Sequence, residues 1–398
     1  MQKKFVDLQK IHYLCPEIYH SSSKTISHLS KRVLIGMSGG IDSTVAAILL
    51  QEQGYELVGA TFRTFDTVKE SCHAKEKGCC SLESILEAQR MASTLGFEHH
   101  ILDFRDTFRE HVIANFVDEY AHGRTPNPCV LCNSHIKWGK LMQVAEQYGC
   151  DYIATGHYAQ IAEHRGHTYL KNAVDTHKDQ TYFLWMLTEE NLRHTLFPLG
   201  GLTKTEVRQI ALSHGFEALS KKAESQEICF VPNNDYRTFL AQQGVSVPKG
   251  EYIDNQGNIL GMHQGYCHYT IGQRKGLGIA LGAPKFVTKI DAENNRVTLG
   301  DRDDLLTTQA TIADVRIRDW DWLKESPHVQ ARIRYKSPAV EAMLNHELGI
   351  KNDELNTELN IQHSTFNIIF STPVWGVTPG QSLVMYKDNL VVGGGILQ

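Results

Sequence analysis

A short apolar run that breaks at two glycines and resumes as a helix leaves a chain few folds to choose from. Residues 32–37 read RVLIGM, residues 38–43 read SGGIDS, and DSTVAAILLQEQG then spaces its apolar residues at helical intervals up to Gly54. ELVGATF at 56–62 is the next buried strand. Strand, glycine turn, helix and strand make a βαβ unit, and such units build parallel sheets. The alternation continues. SILEAQRMASTLG is helical and HHILDF a strand, IKWGKLMQVAEQYG is helical, and DYIATGHYAQI reads as a strand. GLTKTEVRQIALSHG at 201–215 carries the capping box Thr203-x-x-Glu206 and ends at Gly215.

The texture changes near residue 235. Glycines crowd GNILGMHQGYCHYTIGQRKGLGIALGAP, and short alternating runs such as KFVTKI and RVTLG appear. ATIADVRIRDW, VQARIRYKS, FNIIFS and SLVMYKD continue that alternation, as antiparallel strands of a small closed barrel or sandwich do. The expected architecture is α/β. An extension, 1–30, is poorly ordered; a parallel-sheet nucleotide-binding domain occupies 31–232, a small β-rich domain 233–306 and a C-terminal β-barrel 307–398. A polar insert, NHELGIKNDELNTELN, interrupts the last of these.

Composition excludes several classes. With 41% hydrophobic and 21% charged residues among 398, the chain is neither disordered nor fibrous. No apolar run reaches the 18 or so residues of a membrane helix, so no membrane is expected. A net charge of −5 argues against wholesale basic coating of nucleic acid but leaves local patches open. The first 30 residues have no apolar h-region, so they are not a secretory signal; they are Ser-rich but lack arginine, and organelle targeting stays an alternative. Nine unevenly spaced cysteines point to a reducing compartment, here the cytoplasm, and to any disulfide being transient.

The turn at 38–43 lies where ligands bind in open parallel sheets, beyond the carboxyl ends of the strands. Two glycines let backbone N–H groups approach an anion, the helix start adds partial positive charge, and the Ser38 and Ser43 hydroxyls suit phosphate oxygens. No Gly-Lys-Ser/Thr follows, so it is not a Walker A loop, and it is not a dinucleotide G-x-G-x-x-G. S-G-G-x-D-S resembles the PP-loop of ATP pyrophosphatases, which cut ATP between its α and β phosphates and adenylate a substrate. On that resemblance Asp42 helps hold Mg²⁺ on the pyrophosphate; helix capping is the alternative.

TPNPCVLCN at 125–133 sets two cysteines three apart between turn residues. Zinc would want four ligands in paired spacings, and Cys72, His73, Cys79 and Cys80 do not supply a knuckle pattern. A thioredoxin-like redox pair would follow a strand, whereas HGRTPNP is a loop. Nucleophilic sulfur chemistry needs a thiolate, which a helix start favours, and Cys132 reads as opening the helix of CNSHIKWGKLMQVAEQYG. Cys229, in AESQEICFVP, is a second loop cysteine. A sulfurtransferase uses one cysteine to carry sulfur as a persulfide and another to release it.

The motifs GMSGGIDSTVAA, HGRTPNPCVLCN, ATGHYA, KDQTYFLW, PLGGLTKTEVR, SQEICF, YTIGQRKGLGI, RYKSP and TPGQSLVMY, with GGGIL near the end, together resemble the tRNA-specific 2-thiouridylases. The resemblance implies ATP-dependent replacement of the C2 oxygen of a wobble uridine by sulfur. It implies tRNAs with Lys, Glu and Gln acceptors as substrates, and a persulfide donor, either a cysteine desulfurase or a relay protein. By the same resemblance Gly36, Met37, Ser38, Gly39, Gly40, Ile41, Asp42 and Ser43 form the ATP loop, flanked by Phe62 and Gly156. Cys132 matches the nucleophile and Cys229 the persulfide carrier. Asn127, Pro128 and Cys129 meet the target base, and His157, Lys178, Asp179, Gln180, Arg334, Tyr335 and Gln381 match tRNA-contact positions. Many members carry Asp where Cys129 stands, which puts a general acid role there in doubt. Cys129, Cys132 and Cys229 are also the three thiols that a [4Fe–4S] cluster with an open iron would need. The basic turn GQRKG at 272–276 suits a phosphate, or is a solvated loop. Another PP-loop adenylating ligase or amidotransferase is the alternative function, and a nucleotide-binding scaffold without chemistry a further one.

Overall fold

The computed structural model describes residues 30–65, 82–221, 228–345 and 365–398. The expectations for the extension, for Cys72, Cys79 and Cys80, and for the insert beyond Asn345 fall outside them.

The apolar runs of the first half form the expected parallel sheet. Strands β1 (Arg32–Gly36), β2 (Glu56–Arg63), β3 (Glu98–Asp103) and β4 (Tyr152–Ala154), with the short β7 (Thr195–Leu196), stand in the order β3-β2-β1-β4-β7, all parallel. Val33, Leu34 and Ile35 at its centre are fully buried, and each such side chain contributes about 1.5–3 kcal/mol by leaving water. Helix α1 (Ile41–Glu52) is buried along Ile41 and Ser43–Leu50, because the sheet and a neighbouring helix, Lys204–Ser213, cover it on two sides. That neighbour carries the expected reciprocal cap: Glu206 N–H donates to Thr203 Oγ1, and Thr203 N–H donates to Glu206 Oε2 (2.8 Å).

The stretch DYIATGHYAQI is not one strand. It leaves the parallel sheet after Ala154 and resumes at Gln160 in a hairpin, β5 (Gln160–His164) with β6 (His167–Lys171), that belongs to another sheet. Gly156 marks the break, packed against the backbone of Asp42 and Ser43. Period-2 alternation on both sides of a glycine reads as continuous in sequence; the direction change is a tertiary matter.

The middle segment forms a four-stranded sheet ordered Phe286–Asp291, Arg296–Gly300, Gly250–Ile253, Ile259–His263, over a core of Tyr252, Val287, Val297 and Leu299. The last segment closes as a barrel rather than a sandwich. Strands Leu306–Ile317, Phe366–Trp375, Val340–Asn345, His328–Arg332, Ser382–Lys387 and Leu390–Leu397 pair in that order, and the first pairs with the last through Ile312 and Leu397. The β5–β6 hairpin joins its edge where Leu390 pairs with Lys171. Trp185 of the first segment packs against Gly394 and donates from Nε1 to Ser382 Oγ (3.0 Å). The barrel is therefore fastened to the α/β domain by sheet pairing and by packing.

Candidate active site

In the strand order β3-β2-β1-β4-β7 the crossovers reverse between β1 and β4, so a crevice opens above their carboxyl ends. The glycine loop fills its floor. Met37 N–H donates to Ala60 O (2.7 Å), Gly39 has φ +67°, and a side chain there would strike the Ser84 carbonyl. Ser43 Oγ donates to Gly40 O (3.1 Å) and accepts from Ser38 N–H (3.2 Å), so the hydroxyl expected to bind phosphate also holds the turn. Phe62, last but one in β2, lies beside Gly36, and Gly156 follows β4 on the opposite side. The two residues expected to flank adenosine thus stand on either side of the loop.

Asp42 does not cap α1; Gly40 holds the N-cap position. Both of its carboxylate oxygens accept from Lys204 Nζ (2.7 and 2.8 Å), and Oδ1 also accepts from the Tyr158 hydroxyl (2.8 Å). Lys204 was not anticipated from sequence. It is 7% exposed and stands in the first turn of its helix, where a cation opposes the helix dipole. That misplaced charge was the available signal. Gln180 braces the arrangement: its Oε1 accepts from Tyr158 N–H and its own N–H donates to Tyr158 O (both 2.9 Å). Asp42 remains half-exposed beside the loop, so its carboxylate fits a Mg²⁺ arriving on ATP.

The cysteine pair sits on one continuous helix, and here the sequence reading needs correction. Pro128 occupies the first helical position, Pro128–Leu131 form the first turn, and Cys132–Trp138 run on in π-helical geometry into Gly139–Gln147. Proline starts helices well because it has no N–H to leave unpaired. The helix start therefore belongs to Cys129, and Cys132 lies one turn in. Cys129 is exposed, while Cys132 and Cys229 are half-buried. Both half-buried thiols pack on one apolar cluster of Phe108, Val112, Phe116, Ile136, Phe230 and Phe239. Residues distant in sequence thus share one wall. Among the described residues no three Cys, His, Asp or Glu side chains gather as a metal ion requires. Cys129, Cys132 and Cys229 do not form such a group, so a [4Fe–4S] cluster finds no support in this arrangement.

A short relay joins the helix to the turn after β4, which packs on the glycine loop. Lys137 Nζ lies 3.4 Å from His157 Nε2, and His157 Nδ1 lies 2.7 Å from Thr155 Oγ1. An ammonium only donates, so Nε2 accepts and the ring is neutral, with its proton on Nδ1. Burial pushes the imidazole well below its ordinary 6.5, and Lys137 adds to the effect. The unfolded chain therefore binds a proton that the folded chain refuses, and stability present above pH 6.5 is lost as pH falls below it. A His157→Gln variant should lose less Tm than the parent between about pH 7 and pH 5, measured by calorimetry.

Family models cover these same regions. One described as tRNA methyl transferase HUP domain matches residues 31–233, one described as tRNA methyl transferase PRC-barrel domain matches 237–301, and one described as aminomethyltransferase beta-barrel domain matches 313–397. The chain is 44% identical over 375 residues to the tRNA-specific 2-thiouridylase MnmA of Amoebophilus asiaticus, covering 92% of this chain and 94% of that one. It is 45% identical over 375 residues to the MnmA of Clostridioides difficile, covering 93% and 99%. The chain belongs to the tRNA-specific 2-thiouridylase family.

In this thiouridylase-family chain many of the residues expected to touch RNA are spent internally. Asp179 is 4% exposed and accepts from Ala173 N–H (2.7 Å) and from the Thr181 hydroxyl (2.5 Å); burial raises its carboxyl pKa against those bonds. His157 is packed between the Trp138 and Phe197 rings. Arg334 donates from Nη2 to Ile271 O (3.0 Å), to Gly376 O (2.6 Å) and to Thr378 Oγ1, tying the middle sheet to the barrel. Tyr335 stacks obliquely on Phe183, centroids 4.4 Å apart. Lys178 stays half-buried at the turn before Asp179. Arg334 also lines, with Arg237, Tyr236, Thr270 and Gln273, an open cavity of about 620 Å³ between the middle segment and the barrel. Arg274 and Lys275 of the basic turn are exposed beside it.

Proposed function

We propose that this chain is an ATP-dependent tRNA-uridine 2-sulfurtransferase acting on the wobble uridine. The observation that carries the mechanism is the common wall of Cys132 and Cys229, with the helix bearing Cys132 linked through Lys137 and His157 to the glycine loop.

ATP, with Mg²⁺ on its phosphates, binds over residues 36–43 between Phe62 and Gly156. Backbone N–H groups and the start of α1 hold the phosphates; Asp42 would hold the Mg²⁺, and Lys204 supplies the cation that balances this carboxylate. A uridine turned out of its stack presents its C2 oxygen to the α-phosphorus. That oxygen attacks, pyrophosphate leaves with the electrons of the α–β bond, and C2 becomes electrophilic. Cys229 carries sulfur as a persulfide, charged by a desulfurase or relay protein. Its terminal sulfur attacks C2 and AMP departs with the former C2 oxygen. Cys132 thiolate attacks the inner sulfur, forming a Cys132–Cys229 disulfide and leaving one sulfur on the base; an external thiol then reduces the disulfide with two electrons. Alternatively, Cys132 attacks first and releases hydrosulfide, which displaces AMP.

Tyr335, Lys178, Arg274 and the cavity beside Arg334 suit an RNA backbone, and Lys, Glu and Gln acceptor tRNAs are the proposed substrates. Among the described residues no helix is long and apolar enough to cross a membrane, which accords with action in the cytoplasm. The test is pyrophosphate release with and without unmodified tRNA, together with mass spectrometry of the wobble nucleoside. Release that requires tRNA, followed by 2-thiouridine once a persulfide donor is added, is the expected result. Release driven by an amino acid or ammonia instead would favour an amidotransferase-type ligase.

A further inference from the structure

The segment that introduces the cysteine pair is gripped by a different part of the chain. Gln381, on the barrel turn before strand Ser382–Lys387, donates from Nε2 to Thr125 O (3.0 Å) and to Pro126 O (2.9 Å). Thr125 N–H donates to Pro379 O (2.9 Å), and Thr125 Oγ1 donates to Thr270 Oγ1 (3.2 Å) in the middle segment. Tyr182, hydrogen-bonded to Asn127, donates its hydroxyl to Ser382 O (2.8 Å). Three consecutive residues, 125–127, are thus held by barrel, middle segment and α/β domain together.

The turn that does the holding is itself rigid. Gln381 N–H donates to Thr378 O (3.2 Å), Gln381 O accepts from Leu397 N–H (2.8 Å), and Gly380 N–H donates to Leu397 O (2.9 Å). Gly380 has φ +87°, and a methyl group there would come within 2.6 Å of Glu119 Oε2 and 2.8 Å of Thr125 O. Only glycine lets the turn lie this close to its target. Both Nε2 hydrogens of Gln381 are spent on successive carbonyls, so only its Oε1 is left to meet RNA. Between those carbonyls and Cys129 stand Asn127 and Pro128. Prolines 126 and 128 fix their own φ, which leaves little slack to absorb a shift.

We infer that Gln381 and Gly380 are positioning residues for the reaction: they set the height and direction of the helix start that carries Cys129 and Cys132. The inference deepens the proposed function and rests on it for its kinetic readout. A second readout needs no activity.

Two variants separate the roles. Gln381→Ala removes the two donors, and Gly380→Ala pushes the turn off residue 125 while deleting no group that RNA could touch. Both are expected to lower the single-turnover thiolation rate at saturating tRNA by about tenfold to a hundredfold, the scale of a misplacement near 1 Å, and in Gly380→Ala the tRNA Kd should change less than about twofold. Both should also speed amide exchange over residues 127–133 while leaving the barrel strands protected, which a global loss of folding would not. The inference is overturned if Gln381→Ala weakens tRNA binding by about tenfold or more at an unchanged single-turnover rate, or if exchange over 127–133 is unaltered in both variants. Faster exchange in a protein that shows no thiolation under any condition would sustain the clamp and instead count against the proposed function.

Discussion

Cys229→Ser is expected to abolish thiolation while leaving tRNA binding and tRNA-dependent pyrophosphate release intact. Serine occupies nearly the same volume at the edge of the Phe108, Phe116, Phe230 and Phe239 cluster, whose rings pack 5.1–5.9 Å apart, so the wall survives. A hydroxyl cannot carry sulfane sulfur. The fall should reach about a thousandfold or more, as for removal of other covalent nucleophiles. In the proposed order adenylation comes first and needs no thiol, so pyrophosphate should still appear on adding tRNA and ATP. Single-turnover assays with a persulfide donor and no free sulfide measure this. Undiminished 2-thiouridine from the variant would remove Cys229 from the mechanism.

Gly156→Ala is expected to remove the first step instead. The added methyl would sit 2.7 Å from the carbonyl carbon of Asp42 and 2.8 Å from Ser43 N, both backbone atoms at the start of α1. Backbone cannot rotate aside as a side chain does, so either the glycine loop or the turn after β4 must move. The N–H groups aimed at the phosphates move with it. Pyrophosphate release should fall by about a hundredfold, while charging of Cys229 by the persulfide donor, read by mass spectrometry of the protein, should be unaffected. Release within about twofold of the parent would mean that the crevice between β1 and β4 does not hold the nucleotide.

The two experiments are expected to give opposite patterns because the two proposed stages use different surroundings. Asp42, Lys204, Tyr158 and Gln180 form a polar network under the loop. The thiols stand on aromatic packing. Lys137 and His157 link the two regions, and the neutral His157 ring keeps that link free of a second buried charge.

Local patterns made much of this readable beforehand. RVLIGM and ELVGATF are continuous apolar runs because β1 and β2 are covered on both faces, and SGGIDS announces a turn no ordinary side chain could make. The capping box at Thr203 and the barrel strands were legible for the same reason: each depends on residues a few positions apart. At Gly156 the sequence misled, because the deciding contact was long-range. The break at Gly156 comes from α1 passing beneath it. The contacts of His157, Arg334 and Gln381 with rings and carbonyls of other segments are likewise invisible to motif matching, which reads only polar residues near a site.

From sequence alone came the parallel sheet, the phosphate-type turn and the set of cysteines, since periodicity and turn chemistry are properties of neighbouring residues. Only the folded chain decided that Cys132 and Cys229 share one phenylalanine wall, that Lys204 pairs with Asp42, and that a barrel glutamine holds the segment before Cys129. Those pairings join residues far apart along the chain, and their free energy exists only once the hydrophobic cores have closed and brought them within reach.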